Sequence, residues 1–286
     1  MKKLKEIISQ IKASGDTEKT DVDALVRSFI FYSPKMPLRL HQEQLLAQSK
    51  QFELKVPDTY FTGAMLTINC FSWGSGKTKI LLTHGWASKA ADFYELITEL
   101  IKIKDAEIIA FDAPGNGSSI SEYSNLILYV ESVKSITKHY AVPDFVIGHS
   151  LGGMANAMAI QELSIHPKLL ISIAPLIRLK ENFEQSLESV EIDEQRQNTF
   201  FENFSKEFPV SADYFNLTKL PAVNENIEHF LAYDPEDHIS PYSFLQEFLK
   251  KNVQIASKAY NDVGHYKILK SADLIQDISE QIKSKI

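Results

Sequence analysis

Residues 145–153 read Phe-Val-Ile-Gly-His-Ser-Leu-Gly-Gly, an apolar strand running straight into Gly-x-Ser-x-Gly, and the good helix formers Met154 through Ile160 follow. A chain can pass from strand to helix over so few residues only through a very sharp turn. Gly148 and Gly152 stand where a Cβ would collide with the bent chain, and Ser150 between them is forced into an unfavourable φ/ψ region. A serine hydroxyl is a poor nucleophile at neutral pH and needs such a perch, together with a base within hydrogen-bond reach. The stretch therefore nominates Ser150 as a nucleophile. A glycine-rich turn holding an ordinary serine would share the pentapeptide, so the reading depends on agreement from other segments.

Two segments agree. Ile80-Leu81-Leu82-Thr83 is an apolar run that ends in His84-Gly85-Trp86. It looks like the strand and loop that supply one half of an oxyanion hole, with the backbone N–H groups of Trp86 and Leu151 as the two donors. Glu107-Ile108-Ile109-Ala110-Phe111 leads into the turn-rich loop Asp112-Ala113-Pro114-Gly115-Asn116-Gly117-Ser118, whose expected part is structural.

These three segments, in this order, resemble the α/β-hydrolase family, and the resemblance covers most of the chain from about Phe61 onward. It implies a mostly parallel, eight-stranded sheet flanked by helices, with a small helical cap after the sixth strand and an antiparallel element early, near Phe61–Phe71. It also implies a triad in the order serine, acid, histidine. The Gly264-His265 pair in the loop after Gln254–Tyr260 matches the family's base position, which makes His265 the general base. The loop after Ile227–Tyr233 contains Asp237, and its spacing to Ile239 and Pro241 fits the family's acid; Asp234 is the alternative acid and Glu236 a more distant one. His265 would take the Ser150 proton as Oγ attacks a carbonyl, and Asp237 would hold the ring. Because the base must be neutral, turnover is expected to fall as the pH drops through the ordinary histidine range, about 6.5. His41, His139 and His166 read as solvated, His84 as a group fixing its own loop, His149 as packing beside Ser150, and His238 as an exposed loop residue.

A serine nucleophile points to acyl chemistry: a probable carboxylesterase on a small or medium ester, with thioester, amide or hydrolytic carbon–carbon cleavage on the same machinery. A non-catalytic ligand-binding member of the fold is the alternative. The expected partner is a small-molecule acyl substrate, with no cofactor and no metal. Gly74-Ser75-Gly76-Lys77-Thr78 ends like a phosphate-binding loop, but position 71 is Phe where that pattern needs glycine, and the segment precedes a strand. It is a turn.

A formal net charge of −7 at pH 7 argues against nucleic acid and acidic membrane surfaces as partners. The first ten residues are basic but lack the unbroken apolar stretch of a signal peptide, no run is long enough to cross a bilayer, and the single cysteine, Cys70, can form no internal disulfide. A cytoplasmic setting is expected; the sequence sets no oligomeric state. The organisation read from the chain is a helical arm at 1–51, a core at 52–176 and 227–286, and a helical cap at 177–226. The arm is given no part in catalysis. In the cap, Phe183, Phe200, Phe201, Phe204 and Phe208 form a small core of their own, and some of them line an acyl pocket.

Overall fold

The computed structural model describes residues 2–13, 21–220 and 227–286. Positions 14–20 of the expected arm and 221–226 of the expected cap lie outside those residues. Near the start come three helices, α1 (Lys2–Ala13), α2 (Val22–Phe31) and α3 (Leu40–Ala47). An antiparallel pair follows, β1 (Lys50–Pro57) and β2 (Met65–Gly74). The strands then alternate with helices: β3 (Thr78–Thr83), α4 (Tyr94–Leu100), β4 (Ala106–Asp112), α5 (Leu126–Tyr140), β5 (Phe145–His149), α6 (Leu151–Leu163) and β6 (Leu169–Ile173). An insertion made of α7 (Leu179–Glu188) and α8 (Glu194–Glu207) comes next, and the chain returns to the sheet with β7 (Glu228–Tyr233), α9 (Tyr242–Lys251), β8 (Ala256–Ala259), α10 (Gly264–Lys267) and α11 (Ala272–Lys283).

The eight strands form one sheet in the order β1-β2-β4-β3-β5-β6-β7-β8. From β4 to β8 every neighbouring pair is parallel, while β2 runs antiparallel to both β1 and β4. β4, β5 and β6 are buried along their whole length, as continuous apolar strands must be when helices cover both faces. Period-two alternation divides them between two cores: Ile80 and Leu82 pack with α4 and α11, whereas Leu81 and Ile109 pack with α5, α6 and the N-terminal helices. Among the described residues no helix is long and apolar enough to cross a membrane.

The antiparallel element begins earlier than the expected Phe61–Phe71. β1 starts at Lys50, inside the stretch read as arm, and its Phe52, Leu54 and Val56 alternate with charged or amide side chains. That alternation is the signature of a strand with one face covered. The covering element is α5, whose His139 and Tyr140 lie 5.4 and 5.6 Å from the Phe52 ring.

The sheet order also fixes where a ligand can sit. From the central β3 the chain moves out one way to β4 and then crosses back to the other side for β5. Loops leaving the carboxyl ends of β3 and β5 therefore diverge and leave a crevice between them. His84–Trp86 and Ser150 are on those two loops.

Candidate active site

Ser150 has φ 53° and ψ −122°, a backbone conformation that an L-residue adopts only when its surroundings impose it. The surroundings here are hydrogen bonds and close packing. Its N–H donates to the Ile173 carbonyl at 3.0 Å, and its own carbonyl accepts from Gly153 at 3.0 Å and Leu176 at 3.1 Å. A Cβ on Gly152 would lie 2.3 Å from the Thr83 carbonyl oxygen and 2.5 Å from that of His84, and one on Gly148 would lie 2.6 Å from the Gly152 oxygen. The start of α6 is thus seated directly on the end of β3, and only glycine permits it.

The structure brings Ser150, His265 and Asp237 together from three separate loops. His265 Nε2 lies 2.9 Å from Ser150 Oγ, and Nδ1 lies 2.6 Å from Asp237 Oδ2. All three residues are buried. The second carboxylate oxygen of Asp237 accepts from the N–H groups of Ile239 at 2.8 Å and Ser240 at 3.0 Å. Burial alone would raise the pKa of this carboxyl. The hydrogen bond and charge of His265, with those two amides, outweigh burial and hold it below the usual carboxylate value.

Asp234 does not reach the imidazole. Its carboxylate accepts from Val263 at 2.8 Å, Gly264 at 2.6 Å and Glu236 at 2.9 Å, so it clamps the backbone immediately before His265. Burial raises its pKa, but these amides bring it below the ordinary value. Glu236 is exposed on the same loop.

Two other histidines serve the backbone. His84 Nε2 accepts from the Ala113 N–H at 2.9 Å, which leaves Nδ1–H to face the Gly85 carbonyl at 2.7 Å; Tyr129 donates to that carbonyl at 2.9 Å. His84 fixes its loop, as expected. His149 does more than pack. Its Nε2–H donates to the His265 carbonyl at 2.8 Å, and burial, followed by the neighbouring His265, pushes its pKa down to about 3. His41 meets Tyr94 edge-to-face and His139 stacks on Phe52, with His139 and His166 exposed and His41 partly so.

The expected oxyanion donors flank the serine. Leu151 follows it in the chain, and Trp86 arrives on the loop after β3. A Cβ on Gly85 would lie 3.0 Å from the Ser150 Cβ, so the glycine before Trp86 is what allows this close approach. The loop is held from the other side as well, because Asn116 Oδ1 accepts from the Ala87 N–H at 3.1 Å. Asp112 likewise accepts from Ala90 at 2.8 Å and Ser118 at 2.7 Å. The Asp112–Ser118 loop is therefore scaffolding, the part expected of it. Gly74, at φ +81°, and Gly76 form a turn pressed against Asp105 and Ala106, and the N–H groups of Gly76, Lys77 and Thr78 donate to those two residues and not to an anion site.

Ser150 and His265 open into a cavity of about 440 Å³. Its walls come from three parts of the chain. The core supplies Trp86, Leu126, Leu151, Leu176 and Ile239, with His149, His238 and Tyr266 around the triad; α7 and its C-cap supply Leu179 and Phe183 with the polar Asn182, Gln185, Ser186 and Ser189; Leu4 of α1 and residues 29–34 complete it beside Asn125. Of the expected aromatics only Phe183 is among the lining residues. Phe200, Phe204 and Phe208 pack instead around Phe31 of α2, with ring centroids 6.3, 6.3 and 5.7 Å from it. The arm that the sequence leaves without a part in the site thus lines it. No local signal announces this, because the partners lie far apart in the chain.

Comparison with known proteins agrees with the geometry. A family model described as serine aminopeptidase, S33, matches residues 74–267. The monoglyceride lipase of Rattus norvegicus is 32% identical over 119 residues, a match spanning 38% of this chain and 39% of the rat protein. That of Homo sapiens is 29% identical over the same length. Among solved structures, an esterase of Pyrococcus furiosus superposes with a TM-score of 0.63 at 16% identity, covering 89% of this chain and 96% of its own. A thermophilic esterase from Thermogutta terrifontis gives 0.59 at 18% identity, covering 82% and 98%. The fold shared with both is that of the α/β hydrolases.

Proposed function

Because the chain belongs to the serine aminopeptidase S33 family of α/β hydrolases, we propose that it hydrolyses small or medium carboxylic esters through an acyl-enzyme on Ser150. The observation that carries this reading is the unbroken hydrogen-bonded series Asp237, His265, Ser150, opening on a chamber that is mostly apolar. An aminopeptidase would need a carboxylate in the chamber to meet a substrate's α-ammonium group. Among the described residues no Asp or Glu lines the chamber, which favours a neutral ester. Monoglyceride lipases and esterases among the similar proteins support the same preference.

In this reading His265 accepts the Ser150 proton as Oγ attacks the carbonyl, then returns it to the departing alcohol. Asp237 holds the ring with Nδ1 protonated and balances the imidazolium. The amides of Trp86 and Leu151 meet the oxyanion, each contributing about 2.7–4 kcal/mol to the transition state. Water repeats the sequence and frees the acid. Residues 177–226 act as the cap, the segment before β1 as the arm, and the protein works in the cytoplasm on a small-molecule acyl substrate without a cofactor.

A fluorophosphonate probe tests the proposal. It should label the wild type, fail on Ser150→Ala and react far more slowly with His265→Ala. A panel of p-nitrophenyl esters and aminoacyl p-nitroanilides should show turnover of the esters. Folded wild-type protein that takes no label would make this a ligand-binding member of the fold, and preference for the anilides would make it a peptidase.

A further inference from the structure

We infer that the N-terminal arm selects the acyl group: α2 and Leu4 of α1 form the wall along which the acyl chain lies, and Phe29 sets its length. The inference rests on the hydrolytic reading above. Leu4, Phe29, Ile30, Phe31 and Pro34 line the cavity that holds Ser150 and His265, and all five are apolar. The facing wall is different. On α7 and its C-cap, Asn182, Gln185, Ser186 and Ser189 line the cavity among the apolar Leu179 and Phe183; the two amides are the polar groups offered there, because the hydroxyls donate to the Asn182 and Ser186 carbonyls. A chamber whose arm side is the more apolar and whose α7 side carries the amides orients an ester, acyl chain to the first and alcohol to the second.

The arm is also built into the site. The Phe31 carbonyl accepts from the Ser124 N–H at 2.9 Å, beside Asn125, which lines the cavity and caps α5. Ser33 Oγ donates at 2.6 Å to Asn116 Oδ1, the same atom that accepts from Ala87 next to Trp86. On the other side the Phe31 ring meets Phe183 of α7 at 6.2 Å. These ties fix the distance between the wall and Ser150. Ile30 and Phe31 are committed to that framework and fully buried, whereas Phe29 and Leu4 are only partly buried and face the cavity. They are the two positions where chamber length can change without dismantling the core.

Each methylene buried against such a wall is worth up to about fourfold in kcat/KM. The test is a p-nitrophenyl ester series from acetate to dodecanoate, with enzyme normalised by fluorophosphonate titration of Ser150. A second series holds the acyl group at butyrate and varies the alcohol. Phe29→Ala should raise the dodecanoate-to-butyrate ratio about tenfold or more, Phe29→Leu should raise it less, and Leu4→Trp should lower the octanoate-to-acetate ratio. The alcohol series should keep its order in all three. Chain-length ratios within twofold of wild type in folded, titratable variants would overturn the inference, as would an effect confined to the alcohol series. Failure of the hydrolytic reading has a separate mark, wild-type protein that neither takes the label nor turns over any ester.

Discussion

Asp234 and Asp237 stand three residues apart and both accept backbone amides, yet only one touches the imidazole. Asp237 pairs with His265, while Asp234 pins Val263 and Gly264 just ahead of it. Asp237→Asn should leave the fold intact and lower kcat about 10⁴-fold, because the amide favours the wrong tautomer of the ring. Asp234→Asn should cost less, about 10–100-fold, together with a lower Tm, since it loosens the turn and not the proton path. Steady-state kinetics and melting on the two variants check the ranking; equal losses in kcat would contradict it. Ser150, His265 and Asp237 were legible in the sequence because each belongs to a short local pattern. The work of Asp234, and of His149 on the His265 carbonyl 116 residues away, was not, since side chain and backbone partner share no pattern.

At the level of elements, the parallel strands and their helices were readable from continuous apolar runs and glycine turns, and α7 and α8 from helical spacing. β1 escaped because charged or amide side chains stand between its apolar ones, although Phe52, Leu54 and Val56 carry the strand period. α2 was recognisable as a helix, but nothing near it in sequence reveals what it covers. Its Arg27 guanidinium lies 4.8 Å from the Phe61 ring centroid, 5.3 Å from that of Tyr123 and 5.6 Å from that of Phe31, and it pairs with Glu207 at the end of α8. One side chain thereby joins arm, hairpin, loop and insertion. Arg27→Ala should destabilise by about 2 kcal/mol, lowering Tm by roughly 3–6 °C. Arg27→Lys should recover little of that, because an ammonium cannot offer the planar fork. Calorimetry on the pair decides it, and a lysine variant as stable as wild type would argue against the junction.

Across the whole molecule, acid acts on buried neutral imidazoles before it acts on carboxylates. Burial pushes His229, whose Nε2 meets Ser172 Oγ at 2.9 Å, down to about 4, and His149 to about 3. Unfolding raises both toward the ordinary value of about 6.5. The unfolded chain therefore binds more protons throughout that interval, and stability must fall as the pH drops from 6.5 toward 4. For His229 alone the loss is about 3 kcal/mol. The lowered carboxyls of Asp234 and Asp237 add to it with the same sign below their unfolded values. Urea melts at pH 7.5 and 4.5 should differ markedly in midpoint, and His229→Gln should narrow the gap; an unchanged gap would remove His229 from the account. The aromatic packing around Phe31 has a last consequence, for biosynthesis. Phe183 is made 152 positions after it, and Phe208 later still, so α2 can meet Phe61 and Ser124 early, but its face toward the insertion stays uncovered until the ribosome is past the nucleophile. Asp237 and His265 are made later than either ring, so the wall across from the nucleophile can close before the triad is complete.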